Sequence, residues 1–128
     1  MISFEDFAME PGVPIYLQIL RYIKRGVAAG VIQNGDELPS RRVLSALLGV
    51  NPNTVQKAYR VLEEEALIES HTGARSYMVL DARTTRRIRA ELLEGDVLAL
   101  IQAMRQMGVE KQDALALVET LWEQEGSE

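Results

Sequence analysis

A chain of 128 residues, 47% hydrophobic and 26% charged, has room for one ordinary domain or a small domain with an appended helical element, and is too apolar for a disordered tail. It has no cysteine, which excludes disulfides and thiolate metal sites, and no apolar stretch near the roughly 20 residues that a membrane span needs. The net charge of −5 is unevenly spread: Leu20–Arg60 carries seven basic and two acidic residues, and Asp81–Glu128 carries six basic and ten acidic ones. A basic middle and an acidic last third suit a nucleic-acid face and a separate body, although charge runs are also ordinary solvated faces. With no basic stretch leading into an apolar run at its start, the chain reads as cytoplasmic, metal-free and without cofactor.

The first helical signal follows Pro14, a residue suited to a helix start because its missing N–H loses nothing there. Ile15, Ile19, Ile23 and Val27 recur every four residues, with Leu20 and Tyr22 alongside, so the helix has one apolar stripe and ends near Gly30. Asn34-Gly35-Asp36 is a turn signal. A short second helix opens at Ser40 and is expected to turn Val43, Leu44 and Leu47 inward before Gly49 breaks it.

The third helix opens with Asn51 as cap and Pro52 at its first position, burying Val55, Ala58, Tyr59 and Leu62. Two β-prone runs, about 68–71 and 76–80, flank a turn at Gly73 and predict a hairpin. From about Thr84 to Met107 the chain is helical again, with Ile88, Leu92, Val97, Ile101 and Met104 expected on one face and Gly95 as a possible kink. Gly108 ends it. A last helix, about 111–124, places Leu115, Val118, Leu121 and Trp122 on one side.

Two short helices around Gly49 form a helix-turn-helix pattern. Such a unit must bury one face of its second helix while leaving that helix's N-terminal residues free for a duplex. Here those residues are Asn51, Asn53, Thr54, Gln56 and Lys57, all with hydrogen-bonding side chains, and Asn and Gln match the donor–acceptor pair of an adenine edge. Arg41 and Arg42 add positive charge at the start of the preceding helix. The plain alternative is a three-helix core with a polar surface. The hairpin weighs against it, because three helices and a two-stranded wing are the winged helix-turn-helix order. Thr72, Gly73 and Arg75 lie at the predicted wing tip, where Gly73 permits close backbone approach and Arg75 supplies charge for a minor groove.

The segments Pro14-Ile15-Tyr16-x-Gln18-Ile19, Gly35-Asp36-x-Leu38-Pro39-Ser40-x-Arg42-x-Leu44 and Leu48-Gly49-Val50-Asn51-Pro52-Asn53-Thr54-Val55, followed by Ala58-Tyr59 and Leu62-Glu63, resemble the GntR family of bacterial regulators. The short tail and the NPNTV run are similar to its YtrA subfamily. The resemblance implies that Arg42 contacts DNA at the edge of the major groove and that Asn51, Asn53, Thr54 and Gln56 touch bases and phosphates. It also implies that Thr72 and Gly73 enter the minor groove. One departure stands out: where the family wing has a second glycine this chain has Arg75, and where it has a leading arginine this chain has His71.

The expectation is therefore a mainly α chain with a small β wing: a winged helix-turn-helix over 1–80 and a two-helix dimerisation element over 81–128. A lone two-helix hairpin is marginal in water. Leu92, Val97, Ile101, Met104, Leu115, Val118, Leu121 and Trp122 are accordingly assigned to a homodimer interface that presents two recognition helices to a double-stranded, pseudo-palindromic operator. A non-specific DNA binder and a protein–protein adaptor remain alternatives. No activated nucleophile, metal-ligand spacing or phosphate-cradling loop supports an enzyme, and no residue pattern specifies a small-molecule effector.

Overall fold

The computed structural model describes residues 1–71 and 75–126. The chain divides into two compact units, Met1–Leu92 and Leu93–Glu128. In the first lie α1 (Ile15–Ala28), β1 (Glu37–Leu38), α2 (Arg41–Leu48), α3 (Pro52–Glu64), β2 (Ile68–His71) and β3 (Arg75–Met78). The long α4 (Ala82–Gln106) starts in the first unit and ends in the second, which also contains α5 (Lys111–Glu125). No helix among the described residues is long and apolar enough to cross a membrane.

The core of the first unit is the meeting of α1 and α3. Ile19, Ile23 and Val27 of α1 face Val55, Ala58, Tyr59 and Leu62 of α3, all of them buried. Ser40 caps α2 by accepting from the Val43 N–H at 3.1 Å, and Asn51 caps α3 by accepting from the Asn53 N–H at 2.8 Å. Gly49 ends α2 in the left-handed region at φ 68°, which turns the chain into α3.

In α2 the expected inward face is corrected. Leu44 is fully buried, but Val43 and Leu47 are exposed at 55% and 64%, and the inner neighbour of Leu44 is Ser45. The reason is the turn: the Ser45 hydroxyl donates to the Val50 carbonyl at 2.6 Å, and the Val50 N–H returns to the Ser45 carbonyl. A small polar side chain is needed inside, so the helix rolls its surplus apolar residues outward.

Three strands form an antiparallel sheet in the order β1-β3-β2. The hairpin register pairs Ile68 with Met78 and His71 with Arg75. β1 was not anticipated. Two residues are too few for alternation to register, and Leu38 extends only because its side chain enters the core beside β3. The first thirteen residues also pack rather than trail. Ile2 donates to the Glu37 carbonyl at 2.8 Å, and Phe4 stacks on Tyr22 with ring centroids 4.9 Å apart. The buried Gln18 side chain accepts from the Glu10 N–H and donates to the carbonyls of Glu10 and Val13, so it saturates backbone that would otherwise be orphaned.

The compact unit that holds the winged helix runs past the expected limit at Leu80. Asp81 caps α4 through the Thr84 N–H at 2.7 Å, Ile88 is buried in the core, and Leu92 packs against it. The expected single stripe of α4 is a second correction. Val97 and Ile101 are exposed, and Met104 is half-buried. The five-residue step from Leu92 to Val97 turns the helix by about 140° past a full revolution. Ile88 and Leu92 therefore belong to one face, and Val97, Ile101 and Met104 to another. Gly95 does not interrupt the helix.

Two left-handed positions make opposite predictions. Nothing lies within 4 Å of a Cβ built on Gly49, so Gly49→Ala should destabilise through backbone strain alone, by about 1–2 kcal/mol. Ala66 holds φ 59° at the end of α3 without being glycine, so Ala66→Gly should stabilise by roughly 0.5 kcal/mol once glycine's greater entropy loss is subtracted. Chemical denaturation of both variants checks the pair.

Candidate nucleic-acid interface

The N-terminal turn of α3 lies on the surface. Asn51, Asn53, Gln56 and Lys57 are exposed and Thr54 is half-buried, while Val55 and Ala58 between them are fully buried. The positive end of the α3 dipole lies at this surface and favours a phosphate, while the Asn53 and Thr54 N–H groups are both taken by Asn51. Asn51 spends its side-chain oxygen on the cap, leaving its amide nitrogen to donate. Gln56 makes no hydrogen bond to another described residue.

The start of α1 forms the other wall. Pro14, Ile15 and Tyr16 line a shallow depression with Asn51, Asn53, Thr54 and Lys57. The Lys57 ammonium sits 4.0 Å from the Tyr16 ring centroid, an aromatic face that steadies a long cationic side chain without neutralising it. Sequence reasoning assigned Tyr16 no role at this surface. The signal was present in the resemblance motif, but only folding brings residue 16 beside residue 57.

The basic residues of the middle segment divide into two sets. Lys24 is tied to Glu65 at 2.9 Å, and Arg41 to Glu63 at 2.7 Å. Arg41 also lies over the Tyr59 ring at 5.1 Å, so this expected contact residue is engaged within the fold. Arg42 is exposed and bonds to no other described residue, as does Arg60 farther along α3. The local positive excess is thus narrower than the sequence count, and Arg21, Arg42, Lys57 and Arg60, all exposed and in no ion pair with another described residue, carry it.

Glu63 also joins the helices to the sheet. The same oxygen that receives Arg41 accepts from the Ser70 hydroxyl at 2.6 Å, and Ser70 meets Ser76 across the hairpin at 3.2 Å. Of the expected wing residues, Thr72 and Gly73 lie outside the described residues. Arg75 is exposed at the start of β3, where a hydrogen bond with Tyr77 strengthens its hold on its proton. Tyr77 meets the His71 ring edge-on, with centroids 5.2 Å apart. The described residues contain no group of three or more metal-ligating side chains.

The Ser70 hydrogen bond, followed by the Arg41 pair, holds the Glu63 carboxyl below the usual carboxylate range. A depressed folded-state value contributes stability above the unfolded value, lost as pH falls through the folded one. Glu63→Gln should therefore lower the melting temperature modestly near pH 7, because the pair is partly solvated, and the gap from the unchanged chain should close below about pH 4. Thermal melts across pH 3–7 check this.

The family model described as bacterial regulatory proteins, gntR family, matches residues 15–78. The HTH-type transcriptional repressor YtrA of Bacillus subtilis is 36% identical over 110 residues, covering 86% of this chain and 80% of the relative. A solved GntR family transcriptional regulator from Listeria monocytogenes is similar with a TM-score of 0.78 and 32% identity, covering 88% of this chain and 98% of that one. YtrA from Sulfolobus acidocaldarius, a GntR-family transcription factor, is similar with a TM-score of 0.55 and 34% identity, covering 76% of this chain and 99% of that one. The chain therefore belongs to the gntR family of bacterial regulatory proteins, and is a winged helix-turn-helix DNA-binding transcription regulator, not an enzyme.

Proposed function

We propose that this regulator is a repressor that binds a pseudo-palindromic operator as a homodimer. The observation that carries the reading is the N-terminal turn of α3, exposed and polar outside while Val55, Ala58, Tyr59 and Leu62 anchor it inside. Asn53, Thr54 and Gln56 read base edges, and Arg42 and Lys57 hold phosphates that fix the register. The likeness to a transcriptional repressor at 36% identity supports repression by occupying a promoter.

The second unit supports the dimer. Its helices leave Leu93, Val97, Leu98, Leu100, Ile101, Leu115, Val118, Leu121 and Trp122 exposed, and α5 buries no residue at all. Two helices so exposed are marginal in water, and a second copy is the partner whose matching stripes cover them. A two-fold pair places its recognition helices one or more DNA turns apart, about 34 Å for a single turn, which selects an inverted repeat.

Selection from a random DNA pool should return such a repeat. Arg42→Ala and Thr54→Ala should each weaken specific binding by about 1–3 kcal/mol, measured by competition against random DNA. Unchanged affinity in both would move the reading surface elsewhere. Ile101→Glu should shift the chain toward monomer in sedimentation and weaken operator binding more than binding to a half-site. A variant that stays fully dimeric would remove Ile101 from the interface.

A further inference from the structure

The three-stranded sheet turns one face inward and one outward. Leu38, Ile68, Ser76 and Met78 are buried, so alternation puts Glu37, Glu69, His71, Arg75 and Tyr77 on the outer face. The register sets them in two rows: Glu37 and Glu69 flank Tyr77, and His71 stands opposite Arg75 as the last described pair of the ladder. His71 is the chain's one histidine. It is exposed, with Nε2 3.7 Å from a Glu69 carboxylate oxygen and its ring edge-on to Tyr77. Arg75 shares a hydrogen bond with Tyr77 and feels the charge of Glu37.

The charges of this face do not balance while the imidazole is neutral. Glu37 and Glu69 then set two negative charges against the one positive charge of Arg75, and such a face repels a phosphate. A proton on His71 removes the excess and leaves an N–H donor at each ring nitrogen. Histidine is the side-chain type whose ordinary titration falls between about pH 5 and 8. The carboxyls of Glu63 and Asp81, both held below the usual range, stay ionised there.

This end of β2 is joined to the surface that holds DNA. Ser70, the neighbour of His71, donates to the same Glu63 oxygen that receives Arg41, the neighbour of Arg42. The two contacts, 2.6 and 2.7 Å long, converge on one atom, so the end of β2 and the first turn of α2 lie side by side. A strand held by Arg42 carries a phosphate about every 3.4 Å of duplex axis, which brings further phosphates past the hairpin.

We propose that His71 is a further DNA contact of this regulator, made in its protonated form, so that binding a duplex takes up a proton at the wing. The inference rests on the operator-binding reading and adds a pH dependence to it. In the free chain Glu69 favours the proton and Arg75, facing His71 across the hairpin, opposes it. A phosphate that engages Arg75 offsets the opposition and becomes a second anionic partner. An imidazole that gains such a partner holds its proton more tightly. Binding is therefore strongest below the value of the free chain and weakens as pH rises through that of the complex.

The test measures affinity for a duplex carrying the selected sequence, at fixed salt, from pH 6 to 8. Per half-site the unchanged chain should bind about three- to tenfold more tightly at pH 6 than at pH 8. Its log affinity should also fall more steeply with log salt at pH 6, by about one unit, the mark of one added phosphate contact. His71→Gln should stay near the pH 8 affinity throughout, and His71→Arg near the pH 6 affinity. Both should melt like the unchanged chain, because the side chain is exposed. A flat affinity over the range, or a pH dependence that persists in His71→Gln, would overturn the His71 contact while leaving the operator reading in place. A chain that selects no sequence at any pH would overturn both.

Discussion

The hydrogen bond from the Tyr59 hydroxyl to the Pro39 carbonyl, 2.6 Å long and fully buried, ties the recognition helix to the segment that launches α2. Burial pushes the phenol well above its ordinary range, so it stays protonated and donating throughout the pH range in which the fold exists. Leaving the Pro39 oxygen unmatched would cost about 1–3 kcal/mol, a large share of a small domain's stability. With Val55, Ala58 and Leu62 around it, this contact sets the depth and rotation of α3. Both decide which side chains of its first turn remain outside.

The surroundings of Tyr59 transmit that placement. Arg41 lies over the ring and reaches Glu63, and Glu63 receives Ser70 at the base of the hairpin. The first residue of α2, the last turn of α3 and the start of the wing therefore share one polar chain. A cation at the start of α2 is used here to hold three elements in register, and Arg42 beside it bonds to no other described residue. Adjacent arginines in one motif thus have different fates because successive residues on a helix point about 100° apart.

The long α4 divides its work in the same manner. Up to Leu92 it contributes Ile88 to the core of the winged-helix unit, and beyond it presents apolar residues that the chain itself does not cover. Such surface is what the proposed pairing with a second copy covers.

Features carried by local chemistry were legible in the sequence. The cap at Asn51 with Pro52 behind it, the stripe from Ile19 to Val27, the break at Gly49 and the hairpin around the wing all depend on residues within a few positions of one another. The outward polar turn of α3 was legible for the same reason. Features requiring a distant partner were not. The two-residue β1, the packing of Phe4 on Tyr22, the approach of Lys57 to Tyr16 and the capture of Arg41 by Glu63 each join residues whose meeting depends on the folded chain.

The sequence by itself determined where helices begin, what their first turns carry and which family's pattern they match, because capping, turn geometry and periodicity are short-range. Only the tertiary structure decided which of several apolar and basic residues on each helix face inward. A helix richer in such residues than one face can hold has no local means of choosing. That choice falls to buried partners such as Tyr59, Leu38 and Ile88.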